Sequence, residues 1–199
     1  RRDFKHRNIF SFIMFFTILF NSGLVPFYLV YKQGLQLQDT LAVLMIPLFV
    51  QGFFVILIRT FFTNSIPPAL VESAKIDGAG EFRTFVQIII PLSLPVLASV
   101  GLLCTLNYWN DWFLSLLFIS SDGPMSIQFR MYRTLLDIQY LSSNAQAYSA
   151  IMQANPNFRM PSETARMAMA VVGIGPIIFI YPFFQRYFIQ GLTVGAVKG

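Results

Sequence analysis

The sequence is poor in the residues that most often carry chemistry. Its 199 residues include one cysteine, Cys104, and one histidine, His6. A single cysteine excludes an intramolecular disulfide and a cysteine-based metal cluster, and its place inside an apolar run indicates a packing role. Because the apolar runs also lack clustered carboxylates, no acid–base, nucleophilic or metal-binding constellation is evident. We therefore expect no catalytic residue and no metal ligand in this chain.

Charge is scarce as well. Charged residues make up 12% of the chain, hydrophobic residues make up 55%, and the mean hydropathy is +0.61. This composition is typical of membrane proteins. The net charge of +5 comes from basic residues dispersed among apolar runs, so we expect no nucleic-acid partner. No Gly-x-x-x-x-Gly-Lys-[Ser/Thr] motif occurs, so any ATP must be bound by another protein.

Four apolar segments are long enough to cross a bilayer, which takes about twenty residues. They cover residues 8–31, 41–62, 92–119 and 165–184. The third is longer than a crossing needs, which permits tilt or an interfacial first turn. The sequence therefore predicts an all-α, polytopic membrane protein with four transmembrane helices.

The lysines and arginines predict the orientation of these spans. If the spans alternate, one side collects nine basic residues: Arg1, Arg2, Lys5, Arg7, Arg59, Lys75, Arg83, Arg186 and Lys198. The other side holds five: Lys32, Arg130, Arg133, Arg159 and Arg166. Because loops rich in Lys and Arg stay in the cytoplasm, we expect both ends of the chain and the loop at 65–91 to be cytoplasmic. The loops at 32–40 and 120–164 then face outward from the cell membrane.

The polar loop at 65–91 is predicted to form two helices. Ser65 is placed to cap the first, two prolines fit its first turn, and Asp77-Gly78 supplies a stop near residue 76. A second helix follows from about residue 80 to Pro91, which ends or kinks it. The prediction is a helix, a glycine bend and another helix between two membrane spans.

The residues of this loop also follow a spacing known from one family. Glu72-Ser73-Ala74 is followed by Gly78 and then by Ile88-Ile89-Ile90-Pro91. This resembles the EAA loop of the membrane subunits of ATP-binding-cassette importers, which reads Glu-Ala-Ala, three variable residues, Gly, nine variable residues and Ile-x-Leu-Pro. Ser73 and Ile90 depart from that pattern. The run 74–79 resembles the carbohydrate-importing branch.

In that family the loop sits in a cleft of the ATPase subunit and transmits closure of the ATPase dimer to the spans. The resemblance implies this role for Glu72, Ser73, Ala74, Asp77, Gly78 and Ala79. Small side chains at Ala74, Gly78 and Ala79 would let another protein approach the backbone closely. Asp77 has a second interpretation as the cap of the following helix. The whole loop at 65–91 also has an alternative interpretation, as an amphipathic hairpin without a partner.

The third span carries polar and aromatic residues at membrane depth. A carboxylate there costs about 2.5–3.5 kcal/mol on insertion scales, so Asp111 should face protein or a water-filled path. Tyr108 and Trp112 are four residues apart, and Ser115 and Leu116 continue their helical face. Such a face could stack on a sugar ring while Asn107 and Asp111 bind hydroxyls. The alternative is an aromatic belt at the outer interface without a ligand.

Two further regions extend the comparison. In the outer loop, residues 127–141 show helical periodicity with Phe129, Tyr132, Leu135 and Leu136 on one side, and residues 155–161 are rich in turn formers. In the family a loop at this place meets a solute-binding protein; a plain cap on the helices is the alternative.

The tail at 185–199 resembles that of the second, maltose-type membrane subunit, which reaches the ATPase. The alternative is a plain tail whose helix stops at Gly191.

Together these features predict the N-terminally truncated transmembrane domain of a carbohydrate importer, spanning residues 1–199, with two further spans expected upstream. The resemblance implies a second permease subunit, two ATPase subunits, an external solute-binding protein and a sugar as partners. It also implies that the partner ATPases bind ATP and Mg²⁺, with no cofactor in this chain. The alternatives are a permease for another solute and a membrane scaffold or enzyme without an ATPase.

Overall fold

The computed structural model describes residues 5–120, 123–160 and 163–196, and every regular element in these ranges is helical. The all-α prediction is therefore confirmed. The helices are α1 (Arg7–Leu19), α2 (Leu24–Leu29), α3 (Leu41–Phe49), α4 (Gly52–Ser65), α5 (Pro68–Ile76), α6 (Glu81–Thr84), α7 (Ile90–Leu92), α8 (Leu94–Asn110), α9 (Phe113–Phe118), α10 (Ile127–Ser143), α11 (Ala145–Ala154) and α12 (Glu163–Ala196). Two π-helical turns, Val30–Gly34 and Phe85–Ile89, continue α2 and α6.

The chain divides into two compact units. The first comprises the described parts of 1–27, 46–106 and 181–199, and the second those of 28–45 and 107–180. In the first unit α4 packs on α8 through Phe54, Val96 and Val100, with Cys104 beside them. The packing role expected for Cys104 is therefore observed. Helix α1 also packs on α4.

Only one of the four predicted spans is a single helix. Within α12, residues Thr164–Gln185 are long and apolar enough to cross a membrane. Among the described residues, the other candidates are pairs of helices joined at a break: α1 with α2 and its π turn, α3 with α4, and the helices from Glu81 to Leu92 with α8. If each pair counts as one span, length and composition allow four.

The first and third predicted spans are not continuous helices. Helix α1 ends at Leu19 and the chain bends by 117° before α2. At this bend Gly23 has a φ of +80°, and its N–H donates to the side-chain oxygen of Asn21 (3.0 Å). The third predicted span is interrupted after Asn110, with the short α9 following. A pattern of apolar residues reports where a chain is buried in lipid or protein, but not where local hydrogen bonds turn it.

The polar loop follows the predicted order of elements with two corrections. Ser65 does not cap α5: it ends α4, and Pro67 occupies the N-cap position with Pro68 in the first turn. The helix that begins after Gly80 continues through Pro91 to Leu92, and the 78° bend lies at Ser93. Pro91 closely follows the π-helical turn, so its missing backbone N–H leaves one main-chain hydrogen bond of this helical segment unmade.

The segment between residues 120 and 164 contains the predicted helix, but a different side of that helix is buried. The buried residues of α10 are Phe129, Ile138 and Leu141, whereas Tyr132, Leu135 and Leu136 are exposed. Ser126 and Asn144 cap α10 and α11 by accepting the N–H of Phe129 and of Ala147. The predicted turns around 155–161 are present in the described part, where the N–H of Phe158 donates to Asn155 (2.9 Å).

Helix α12 passes through Gly173, Gly175 and Pro176. A Cβ at Gly173 would lie 2.8 Å from the Met131 methyl, so the end of the methionine side chain would have to move. The helix also continues to Ala196, past Gly191, so the alternative of a stop there is wrong. Residues 197–199 of the predicted tail lie outside the described residues.

Candidate functional site

A Schellman motif ends the short helix of the polar loop. The N–H of Ala79 donates to the carbonyl of Ala74 (2.9 Å), and the N–H of Gly78 donates to that of Lys75 (3.0 Å). These are the two hydrogen bonds of the motif, with Asp77 as the C-cap and Gly78 next to it. Gly78 has a φ of +76°, which only glycine adopts readily. Ala74 and Gly78 of the recognised pattern therefore share one structural task, ending α5 in a fixed turn.

This motif corrects part of the sequence interpretation. Ala74 is only 5% exposed, so it faces the protein's own interior and offers no surface to a partner. Ala79 is half-buried. Their small size permits the tight turn, while Gly78 remains exposed. Asp77 ends α5, and Gly80 is the N-cap of the next helix, so the interpretation of Asp77 as that helix's cap is wrong.

The outward face of α5 carries a charged and an apolar residue one turn apart. Glu72 is exposed and makes no ion pair or hydrogen bond with any described residue. Ile76 is 87% exposed, and Phe82, just beyond the turn, is 80% exposed. Residues four apart lie on the same helical face, so Glu72 and Ile76 present a mixed contact surface. Sequence reasoning missed Ile76 and Phe82; their only signal was their apolar character inside a polar loop.

The loop is braced beyond the turn by local contacts. Lys75 and Glu81 form an exposed ion pair at 3.9 Å, which is worth little by itself. Arg83 donates to the side chain of Gln87 (2.9 Å) one turn further on. The hydroxyl of Thr84, which is buried, donates to the carbonyl of Gly80 (3.1 Å). These contacts join the end of α5 to the helices that lead into α8.

The predicted substrate face is not continuous. Tyr108 lies in α8 and donates its hydroxyl to the carbonyl of Met45 (2.9 Å), whereas Trp112 lies beyond the end of that helix. Ser115, expected on the same face, is fully buried and hydrogen-bonds to Ser126 (3.1 Å). Asp111 accepts the N–H of Leu114 (3.4 Å), a local role at the start of α9. The helix break explains the failure, because the four-residue spacing rule holds only inside a continuous helix.

An aromatic contact remains at this position. The ring of Trp112 packs on Tyr132 of α10 with centroids 4.8 Å apart, and both rings are partly exposed. Asn107 lies exposed one turn from the end of α8. The four predicted residues therefore form no single platform, although Trp112 and Tyr132 together present apolar rings.

Two contacts of the second unit were not foreseen. The indole N–H of Trp109 donates to the carbonyl of Gly173 (2.8 Å), which ties α8 to α12. The only sequence signal for this contact is that a buried indole N–H usually finds an acceptor. In the loop before α3, a carboxylate oxygen of Asp39 accepts the N–H of Ser120 (2.6 Å). That hydrogen bond, aided by the Ser120 side chain and the charge of Lys32, lowers the pKa of Asp39.

The described residues contain no cluster of histidine, cysteine, aspartate or glutamate that could hold a metal ion. The features that stand out are apolar helices of membrane-spanning character and one hydrogen-bonded polar turn with an exposed face. This combination is that of a membrane protein with an exposed polar loop.

The chain belongs to the family of binding-protein-dependent transport system inner membrane components, whose model matches residues 1–194. It is 36% identical over 200 residues to the polygalacturonan/rhamnogalacturonan transport system permease protein YtcP of Bacillus subtilis, covering all of this chain and 67% of the relative. It is also 36% identical to the LplC protein of the same organism, covering 100% of this chain and 64% of the relative. The chain thus spans about two thirds of these relatives' length.

A solved structure agrees with these relatives. The crystal structure of a bacterial ABC transporter involved in import of the acidic polysaccharide alginate matches with a TM-score of 0.76 and 30% identity. The match covers 94% of this chain and 64% of the transporter chain. The resemblance to importer permeases inferred from the polar loop is therefore confirmed, and the family is one of membrane permease subunits.

Proposed function

We propose that this chain forms the membrane-spanning part of an ATP-driven importer of sugars or oligosaccharides. The observation that carries the proposal is the rigid turn of α5 with its exposed Glu72 and Ile76, in a chain of this family. The names of the relatives support a carbohydrate solute: they include transport proteins for polygalacturonan or rhamnogalacturonan and for arabinooligosaccharides.

The proposed mechanism gives Glu72 and Ile76 the contact with the ATPase. A buried apolar anchor beside a charged group is a common arrangement at protein interfaces. Ser73 and Asp77 flank this surface, while Ala74, Gly78 and Ala79 keep α5 rigid by forming its C-terminal turn. A rigid turn is needed because a displacement of the loop reaches the spans only if α5 moves as one body. Closure of the ATPases then shifts the flanking helices and drives alternating access.

The proposal includes the partners and the orientation predicted from the sequence. ATP and Mg²⁺ bind to two ATPase subunits, and this chain contributes motion without a reaction of its own. A second permease subunit completes the pathway. Both ends and the loop at 65–91 face the cytoplasm, and the segment at 120–164 faces outward toward a solute-binding protein. The solute passes near Asn107, Tyr108, Asp111 and Trp112, where the rings of Trp112 and Tyr132 offer a surface for a sugar.

Co-purification tests this proposal. The complete protein is coexpressed with its partner permease and ATPases, and the ATPase retained per permease is measured. The double change Glu72→Lys with Ile76→Asp should reduce retention at least tenfold, because it reverses the charge and removes the apolar contact. A matched control, Asp137→Lys with Ile127→Asp on the exposed part of α10, should retain the ATPase as wild type does. Equal retention by all three proteins would refute the proposed contact.

A further inference from the structure

The bend between the polar loop and α8 is centred on one serine. The helices from Glu81 to Leu92 and α8 meet at 78° with Ser93 between them. Pro91 and Pro95 flank it on either side. Because proline has no backbone N–H, fewer hydrogen bonds connect the two arms than in an uninterrupted helix.

The backbone of Ser93 is nevertheless fully engaged. Its N–H donates to the carbonyls of Ile89 (3.1 Å) and Ile90 (3.0 Å), and its carbonyl accepts from Leu97 (3.0 Å). The bend is therefore held by main-chain hydrogen bonds on both sides. It needs nothing from the serine side chain.

That side chain is an exception within the described residues. Ser93 is 0% exposed, and its hydroxyl makes no hydrogen bond with any described residue. Buried hydroxyls are nearly always paired, because leaving one unpaired is unfavourable. In α8, which follows Ser93, the hydroxyl of Ser99 donates to Pro95 (2.8 Å) and that of Thr105 to Gly101 (2.8 Å), the usual bond to the carbonyl four residues back.

The difference lies in the backbone. Ser93 has φ −100° and ψ 3°, outside the values of a regular helix, so its side chain is aimed differently from that of Ser99. If the bend opened and Ser93 became helical, its hydroxyl would reach the carbonyl of Ile89, as the hydroxyl of Ser99 reaches Pro95. The straighter form would gain a hydrogen bond that the bent form lacks.

We propose that Ser93 is a positioning residue of a two-state hinge, in which its hydroxyl stabilises the straighter state of the segment joining the polar loop to α8. This inference rests on the proposed function, because it assigns to the hinge the transmission of loop motion into the span. The part of α8 after the hinge is anchored on α4 through Val96 and Val100, so bending is concentrated at Ser93.

The test measures the distance across the hinge in the complete complex with its ATPases. Spin labels are placed at Arg83 and Leu103, both exposed, with Cys104→Ser and other reactive cysteines replaced. Pulsed electron paramagnetic resonance records distances without nucleotide and with ATP trapped. Wild type should show two populations, with the longer distance increasing when the ATPases close. Ser93→Ala should lower the fraction of the longer distance about fivefold, the effect of losing one hydrogen bond.

Ser99→Ala is the matched control, since its hydroxyl is already bonded on the anchored side; it should stay within about twofold of wild type. A single unchanged distance in wild type would overturn the hinge whether or not Ser93→Ala assembles. Equal populations in wild type and Ser93→Ala would overturn the role of the hydroxyl. Retention of the ATPases is recorded on the same samples, and its loss in wild type would count against the proposed function instead.

Discussion

Gly78 is the residue at which backbone geometry restricts the side chain most clearly. Its φ of +76° lies in the left-handed region, and a Cβ built there would meet no atom within 4 Å. Any penalty for a side chain therefore comes from conformation and not from a clash. A left-handed residue other than glycine costs about 1–2 kcal/mol, with asparagine tolerated best.

Gly78→Ala should therefore destabilise the turn of α5 by about 1–2 kcal/mol and weaken ATPase coupling. Gly78→Asn, although larger, should be affected less, because asparagine adopts this conformation more readily. ATPase retention and solute-stimulated ATP hydrolysis by the assembled complex provide the measurements. Similar losses for both variants would show that the backbone conformation is not the reason for glycine here.

Gly52 illustrates a different requirement, close approach between helices. A Cβ at this position would lie 2.8 Å from the carbonyl oxygen of Met14 and 3.0 Å from the Thr17 hydroxyl. Gly52→Ala should therefore lower stability by about 1–3 kcal/mol, as overpacking does. Gly34→Ala, where no atom lies within 4 Å, is the control. Thermal unfolding of the purified complex distinguishes them, and equal melting temperatures would argue against tight α1–α4 packing.

The stability that Asp39 contributes depends on pH. Its pKa is lowered mainly by the N–H of Ser120, so its stabilising contribution is complete above the ordinary carboxyl pKa. That contribution is lost as the pH falls through the lowered value. Asp39→Asn keeps an acceptor for Ser120 but does not titrate, so between about pH 5 and 2 its melting temperature should fall less steeply than that of wild type. Parallel profiles would contradict a stabilising role for the carboxylate.

At the scale of elements, α8 is fixed at both of its ends by different means. Near its start it packs on α4 through Val96 and Val100. Near its end the indole of Trp109 is hydrogen-bonded to Gly173 of α12. A glycine in α12 allows this close contact because it has no side chain to intervene.

Trp109→Phe should remove about 1 kcal/mol of stability by deleting one hydrogen bond, with a decrease in melting temperature of roughly 2–4 °C. Trp112→Phe is the comparison, since the Trp112 indole nitrogen makes no hydrogen bond with any described residue. Differential scanning fluorimetry of the complex can resolve the two. A smaller effect at Trp109 than at Trp112 would contradict the proposed tie.

Several elements could be predicted from sequence because local rules determine them. The stop of α5 followed from Asp77-Gly78, and the all-α class followed from long apolar runs. The break after Asn110 could not be predicted, because the residues from Asn107 to Leu116 keep a helical spacing across it. At the break, a side-chain oxygen of Asp111 accepts the N–H of Leu114. Burial of Ala74 was also missed: an alanine in a polar loop carries no signal for which side faces the protein.

At the scale of the whole molecule, we propose that the turn after α5, the bend at Ser93 and the apolar helices form one path for mechanical coupling. The loop's pattern was sufficient to recognise the family, because the spacing from Glu72 through Gly78 to Pro91 is specific. The partly exposed rings near α9 were less informative, since aromatic residues also settle at membrane interfaces without a ligand.

The most direct test is transport by the purified complex in proteoliposomes. The complete protein is reconstituted with its partner permease, its ATPases and a solute-binding protein, and uptake of labelled oligosaccharides is followed with and without ATP. The account predicts ATP-dependent uptake that falls at least tenfold with Glu72→Lys and Ile76→Asp and is preserved with the α10 control. The proposed function would be contradicted if the α5 substitutions left uptake unchanged, or if the ATPases did not associate with the wild-type chain.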